Sequence, residues 1–276
     1  MGKVLIPAIQ LRMMKNRINQ LFETKTGPVL SVYYTAGYPH LGDTVSIAHA
    51  LEDAGVDMIE IGIPFSDPVA DGPVIQQSNK VALDNGMTVS RLLAQVREIR
   101  QAGVKLPVIL MGYLNPVLQY GVERFCIEAG QSGVDGLILP DLPLQEYENL
   151  YRPVVVSQGL RNVFLISPTT SVSRIQQIDA ASASFIYAVS ASSTTGAKKE
   201  FSPEQVDYFI RLQAMGLKNP LLVGFGISNH ATFLQATAHT AGAIVGSAFV
   251  QALATMTNLS VDIRNFVVSL RGDAGQ

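Results

Sequence analysis

A chain of 276 residues, 47% of them hydrophobic and 15% charged, can fill the core of one large α/β domain and is too apolar to be disordered. Its formal net charge of -2, with both signs scattered, offers no basic face and argues against nucleic acid as the main partner. The single cysteine, Cys126, excludes an intrachain disulfide framework and a cysteine-based zinc site. None of His40, His49, His230 and His239 makes a metal-ligand pair, so no metal is expected.

No apolar run approaches the roughly 18 residues that span a bilayer, and residues 1–14 lack the apolar stretch of a signal peptide. A cytoplasmic protein is therefore expected. Residues 1–12 read as an extension outside the fold, and residues 13–276 as one domain that opens with an amphipathic helix after Met13 and Met14. A strand at 29–34 then leads through a helix at 43–54 to a strand at 58–61. Further strands are expected at 108–111, 136–139, 162–166, 185–188, 221–224 and 243–245. Helical periodicity marks 89–101, 120–130, 144–158, 171–181, 202–215, 228–239 and 247–270.

These strands are continuous apolar runs, as in a parallel sheet covered on both faces. Three helix–strand junctions read alike: Gly55-Val56-Asp57, Gly133-Val134-Asp135 and Gly242-Ala243, each with a glycine that ends a helix. Eight βα units without a linker predict a single (β/α)8 TIM barrel with an extra N-terminal helix. A doubly wound open sheet is the alternative, but Thr35-Ala36-Gly37-Tyr38-Pro39 after the first strand is no glycine fingerprint. In a barrel the chemistry belongs at the strand C-termini and the βα loops.

On that basis Glu60 is the first candidate. It shares a strand face with Met58 inside an apolar strand, where a carboxylate is costly unless it is paired, hydrogen-bonded or protonated. A structural ion pair is one reading; an acid–base group at the end of the strand is the other. The following loop adds Asp67 and Asp71, each beside a proline or glycine and so either a turn residue or a partner carboxylate. Glycine-bearing loops close strands six to eight: Ser193-Thr194-Thr195-Gly196, Gly224-Phe225-Gly226 and Gly246-Ser247. Backbone amides in the last two, at helix N-termini, predict a phosphate site. The loops Tyr113-Leu114-Asn115-Pro116 and Pro140-Asp141-Leu142-Pro143 carry only a signal of firm geometry.

Taken together, the run from Glu60-Ile61-Gly62-Ile63-Pro64-Phe65-Ser66-Asp67-Pro68 to Asp71-Gly72-Pro73 closely resembles the signature of the tryptophan synthase alpha subunits. The Thr35, Asn115-Pro116, Pro140, Gly224 and Gly246 motifs agree with that family in order and spacing, over residues 14–270. The resemblance implies retro-aldol cleavage of indole-3-glycerol phosphate to indole and glyceraldehyde 3-phosphate. Glu60 would be the proton shuttle and Asp71 the acceptor of the indole N–H. Tyr187 would be the active-site tyrosine, although a core aromatic is the competing reading. Gly196, Gly224, Gly226, Gly246 and Ser247 would hold the phosphate, and Tyr33, Ile75, Leu110, Tyr113 and Ile138 would wall the indole pocket.

The family works as an αββα complex, so a beta subunit carrying pyridoxal phosphate is the expected partner and no cofactor is expected in this chain. Pro64, Phe65, Asp67, Pro68, Asn115, Pro116, Asp141 and Pro143 would face that partner. One departure stands out. The family's lid after strand six carries a Gly-Val-Thr-Gly core, whereas Ser193, Thr194 and Thr195 precede Gly196 here, and the lost glycine should restrict the hinge. A stand-alone lyase, or a non-catalytic regulatory subunit that binds the same ligand, are the alternative functions.

Overall fold

The computed structural model describes residues 16–190 and 200–272. The expected extension at 1–12 and the loop residues Ser193, Thr194, Thr195 and Gly196 lie outside them. The strands are β1 (Val29–Thr35), β2 (Met58–Gly62), β3 (Val108–Met111), β4 (Gly136–Ile138), β5 (Arg161–Ile166), β6 (Ile186–Val189), β7 (Leu221–Gly224) and β8 (Gly242–Val245). They form a closed barrel in chain order, every neighbouring pair parallel, with β8 returning to β1. The barrel expected from the sequence is therefore the observed architecture, and the open sheet is excluded.

Strand periodicity of two sorts the side chains into two shells. Val29, Met58, Ile109, Ile138, Val163, Phe185, Tyr187, Leu222 and Ile244 fill the barrel interior. The alternate residues, including Leu30, Val32, Ile59, Ile61, Val108, Leu110, Phe164 and Val223, pack outward against the helices. Burial on both sides is what makes the strands read as unbroken apolar runs.

The floor of the barrel is closed by the extra N-terminal helix, Arg17–Thr24. Asn16 caps it by accepting from the Ile18 amide at 3.0 Å. The Asn16 side-chain Nδ2 donates to Asp135 O (2.8 Å) and Gly159 O (2.9 Å), which fixes the helix to the barrel. Ile18 is then driven into the interior cluster, and Gly136 has no Cβ because one would meet Ile18 Cδ1 at 2.8 Å.

Three differences from the expected helices have local causes. The helix Pro73–Asp84 was not expected, because its buried face mixes Ile75 and Ala82 with Ser78 and Asn79 and so breaks the apolar pattern. The helix expected at 120–130 is found at Val122–Ser132, and a further helix, Leu114–Tyr120, precedes it, divided from it by Gly121 at φ +92°. The last stretch is likewise divided into Ser247–Leu253 and Leu259–Arg271, the second capped by Asn258. Among the three glycine junctions, Gly55 and Gly133 have positive φ and end helices as expected. Gly242 differs: it starts β8, and a Cβ there would lie 2.3 Å from Val29 O. Close strand approach, not a left-handed turn, requires that glycine.

Candidate active site

β2 carries Glu60 with its side chain turned into the barrel, in register with Tyr33 of β1 and Ile109 of β3. The residue is fully buried. Its Oε1 accepts from the Ser31 hydroxyl at 2.9 Å, and its Oε2 is buried with no hydrogen-bond partner. No cation lies within ion-pair distance of it among the described residues, so the structural ion pair weighed as an alternative is not what holds it. Burial favours the neutral form and pushes the carboxyl up to about 8, against the opposing effect of the Ser31 bond.

The second carboxylate arrives from the loop after β2. Turns at Asp67–Val69 and Pro68–Asp71 fold this loop back on itself (2.9 and 3.0 Å), and Gln76 donates to Asp71 O at 2.9 Å. Asp71 Oδ2 accepts from the Tyr113 hydroxyl at 3.2 Å, while the Ala70 amide donates to the same hydroxyl oxygen at 3.0 Å. Partial burial lifts Asp71 to about 6, and the Tyr113 bond holds it from rising further. Tyr113 is itself pushed up to about 12 by burial and by the Asp71 charge.

Two tyrosines feel the charge of both carboxyls. Tyr33 and Tyr187 are buried, and burial raises both hydroxyls well above the ordinary tyrosine range. The charges of Glu60 and Asp71 add to that rise on both, and Tyr33 pairs in register with Glu60. Both rings occupy space that glycines leave open. A Cβ on Gly62 would lie 2.2 Å from the Tyr33 hydroxyl, and one on Gly224 would lie 2.0 Å from that of Tyr187. Gly224, expected as a phosphate ligand, thus also makes room for Tyr187. The Phe225 ring meets that of Tyr187 edge to face at 6.2 Å.

Of the expected pocket walls, Tyr33 and Ile75 pack together with Val250, and Ile138 lies in the barrel interior. Leu110 is a correction. It belongs to the outer shell and contacts helices, because the inward positions of β3 are Ile109 and Met111. Met111 is the residue that reaches both the interior cluster and the Tyr33–Ile75 cluster. The parity of β3, fixed by aligning it with Met58 and Glu60, was the available signal.

At the end of β6, Ser190 donates to Phe225 O at 2.5 Å, which ties it to the loop after β7, and Gln205 donates to Ser190 O at 3.0 Å. Phe225 and Gly226 both take positive φ (+67° and +80°), an arrangement that a second non-glycine residue would strain. Gly246 precedes the helix Ser247–Leu253, whose exposed first residue is Ser247. First-turn amides of such a helix have no intrahelical acceptor.

Loops two, three and four form a braced rim. The Phe65 and Tyr113 rings stand 5.3 Å apart, the Phe65 amide donates to the buried Asn79 side chain at 2.9 Å, and Asp141 accepts from the Leu114 amide at 2.9 Å. Phe65, Asp67, Pro68, Asn115, Pro116, Asp141 and Pro143 are accessible on this rim, to differing degrees. Pro64 is buried beneath it and offers no contact surface, because it continues directly from the barrel strand. The histidines lie apart from the mouth, bonded to Asp43, Asp53, Leu270 O and Gln213.

Comparison with known proteins gives one consistent result. The family model described as tryptophan synthase alpha chain matches residues 20–271. The tryptophan synthase alpha chain of Parabacteroides distasonis is 54% identical, over 86% of this chain and 92% of its own length. That of Flavobacterium johnsoniae is 52% identical, over 93% of this chain and 100% of its own. Among solved structures, the alpha chain from Legionella pneumophila superposes with a TM-score of 0.82 at 36% identity, covering 93% of this chain and 96% of that one.

Proposed function

Since the chain belongs to the tryptophan synthase alpha chain family, a carbon–carbon lyase that cleaves indole-3-glycerol phosphate and works with a beta subunit, we propose that Glu60 and Asp71 divide its proton chemistry. The retro-aldol step needs a proton on indole C3, so that the ring can leave neutral, and needs the side-chain hydroxyl that becomes the aldehyde to lose one. A carboxyl poised at about 8 is protonated at neutral pH, whereas one at about 6 is ionised. Glu60 gives its proton to C3. The carboxylate left behind takes the hydroxyl proton as the carbon–carbon bond breaks, which returns Glu60 to its starting state. Asp71 accepts the indole N–H and offsets the positive charge of the protonated ring.

What supports this reading above all is the buried Glu60, which among the described residues meets no cation and has one oxygen held and the other without a partner. Tyr33, Ile75, Met111, Tyr113, Ile138 and Tyr187 form the apolar surround that keeps water from the protonated indole. Gly224, Gly226, Gly246 and Ser247 bind the phosphate with Gly196, and Ser193, Thr194 and Thr195 are assigned to the lid. The accessible rim around Phe65, Asn115 and Asp141 receives the beta subunit, where pyridoxal phosphate supplies the chemistry of tryptophan formation; this chain uses no cofactor. The cytoplasm is the compartment assigned to it, and no helix among the described residues is long and apolar enough to cross a membrane.

The test is indole release from indole-3-glycerol phosphate, measured with and without a beta subunit loaded with pyridoxal phosphate. Slow release alone and strong activation by the partner are expected. Fast release alone would favour a free lyase, and none in either condition despite ligand binding would favour a regulatory subunit.

A further inference from the structure

We infer that Ser31 is a positioning residue for the acid–base carboxyl: its hydroxyl holds Glu60 Oε1, so that Oε2 is the oxygen that exchanges the proton with substrate. The inference rests on the assignment of Glu60 proposed above. Ser31 lies on β1 in register with Met58, one interior layer below the Tyr33–Glu60 pair. Its inward neighbours Val29, Met58 and Ile109 are apolar. A hydroxyl sealed into such a layer is unfavourable unless it is satisfied. Its one side-chain hydrogen bond among the described residues is the one it donates to Glu60 Oε1, at 2.9 Å, and this is also the one such bond that Glu60 makes.

The consequence is directional. A serine that donates to Oε1 favours that atom as the carbonyl oxygen whenever the carboxyl is protonated, and the proton is left on Oε2. When the carboxyl is ionised, the same bond stabilises the charge on an otherwise unassisted anion. Ser31 therefore acts on both halves of the shuttle without touching substrate. Among the described residues, Tyr33 from β1 and Tyr187 from β6 feel the charge of Glu60, and both also feel that of Asp71 from the loop after β2. Both tyrosines stay neutral in the working range and Asp71 titrates lower, so the alkaline limb of the rate profile belongs to Glu60.

The experiment is the pH dependence of kcat/KM for indole release by the complex with the beta subunit, for wild type, Ser31→Ala and Ser31→Thr. Loss of a donor to the carboxylate disfavours its charged form, so Ser31→Ala should move the alkaline limb upward by about one pH unit. Its kcat should fall about tenfold. Ser31→Thr, which keeps the hydroxyl, should restore the wild-type limb. An alkaline limb and kcat that do not move in a folded Ser31→Ala enzyme would overturn the inference while leaving Glu60 in place. Cleavage retained by Glu60→Gln would instead remove both Glu60 and Ser31 from the mechanism. Infrared difference spectra of wild type against Glu60→Gln provide a check that needs no change at Ser31. A carbonyl band of protonated Glu60 at the lowered frequency of a hydrogen-bonded acid is expected, and a free-carbonyl band would refute the bond.

Discussion

The two ends of this barrel treat carboxylates in opposite ways. At the floor, Asp57 and Asp135 each occupy the same place after a Gly-Val turn and have the same kinds of partner. Asp57 pairs with Lys25 and Arg271, both at 2.7 Å, and accepts from the Leu30 amide. Asp135 pairs with Arg17 at 3.0 Å and Arg100 at 2.8 Å, and accepts from the Val108 amide. Each carboxylate therefore meets two cations and the first turn of a neighbouring strand. At the mouth, Glu60 and Asp71 meet no cation among the described residues and one side-chain hydroxyl each. The same chemical group is a clamp when its charge is neutralised and a proton carrier when it is left without a counter-ion in a dry site. The division follows the general design of such barrels, with stability at the strand N-termini and chemistry at the C-termini.

The sharpest way to break this comparison is Glu60→Gln. It should reduce indole release by about a thousandfold while ligand binding persists, and it should make the protein more stable. The sign follows from the raised carboxyl: folded Glu60 keeps its proton up to about 8, whereas the unfolded chain gives it up near 4.5, so wild-type stability falls as pH rises between these values. Glutamine removes that penalty. Unfolding free energies of the two proteins from denaturant titrations should agree at pH 4 and diverge toward pH 8 in favour of the variant, by on the order of a few kcal/mol. A variant that is less stable at pH 8 would mean that Glu60 is a structural partner, like the floor carboxylates.

Asp135→Asn is the converse test. It leaves the half-buried Arg100 guanidinium, already lowered to about 10 by burial, without its counter-charge. Denaturant unfolding should report a loss of about 3 kcal/mol. The kcat/KM of the folded fraction should stay near wild type, and a drop comparable to that of Glu60→Gln would erase the division between floor and mouth.

The smallest effect is expected at Tyr113→Phe. Its hydroxyl holds Asp71 down, so without it the Asp71 carboxyl rises above about 6 and more acid must be removed before the site ionises. In a kcat/KM profile that rises through Asp71 and falls through Glu60, the acidic limb should move upward by about half a pH unit. The alkaline limb should not move. Movement of the alkaline limb instead would show that the assignment of the two limbs is reversed.

Much of the mouth was legible in advance because a charged residue inside an apolar strand is conspicuous. Glu60 was visible for that reason, and the position of its loop made Asp71 a candidate. The floor was less legible. The glycine–strand junctions at 55–57 and 133–135 were visible as punctuation, but nothing in them singled out their aspartates. Their partners Arg271 and Lys25, or Arg17 and Arg100, are brought to them only by closure of the barrel and docking of the N-terminal helix. Leu110 was misplaced because strand parity was applied to β2 and not carried across to β3, where Met111 takes the inward position. Ser31 was passed over because one serine among valines and leucines carries no signal until the β1–β2 register sets it diagonal to Glu60.

By itself, the sequence determined the repeating βα pattern, the parallel and doubly covered character of the sheet, and the presence of a carboxyl where water is scarce. These follow from periodicity and from the cost of burying charge, which are local properties of the chain. Tertiary structure decided which of two alternating faces looks inward, which oxygen of Glu60 is held, and which aspartates find cations. Those outcomes depend on register and closure between segments far apart in the chain, and no local pattern encodes a distance between residues 31 and 60 or between 57 and 271.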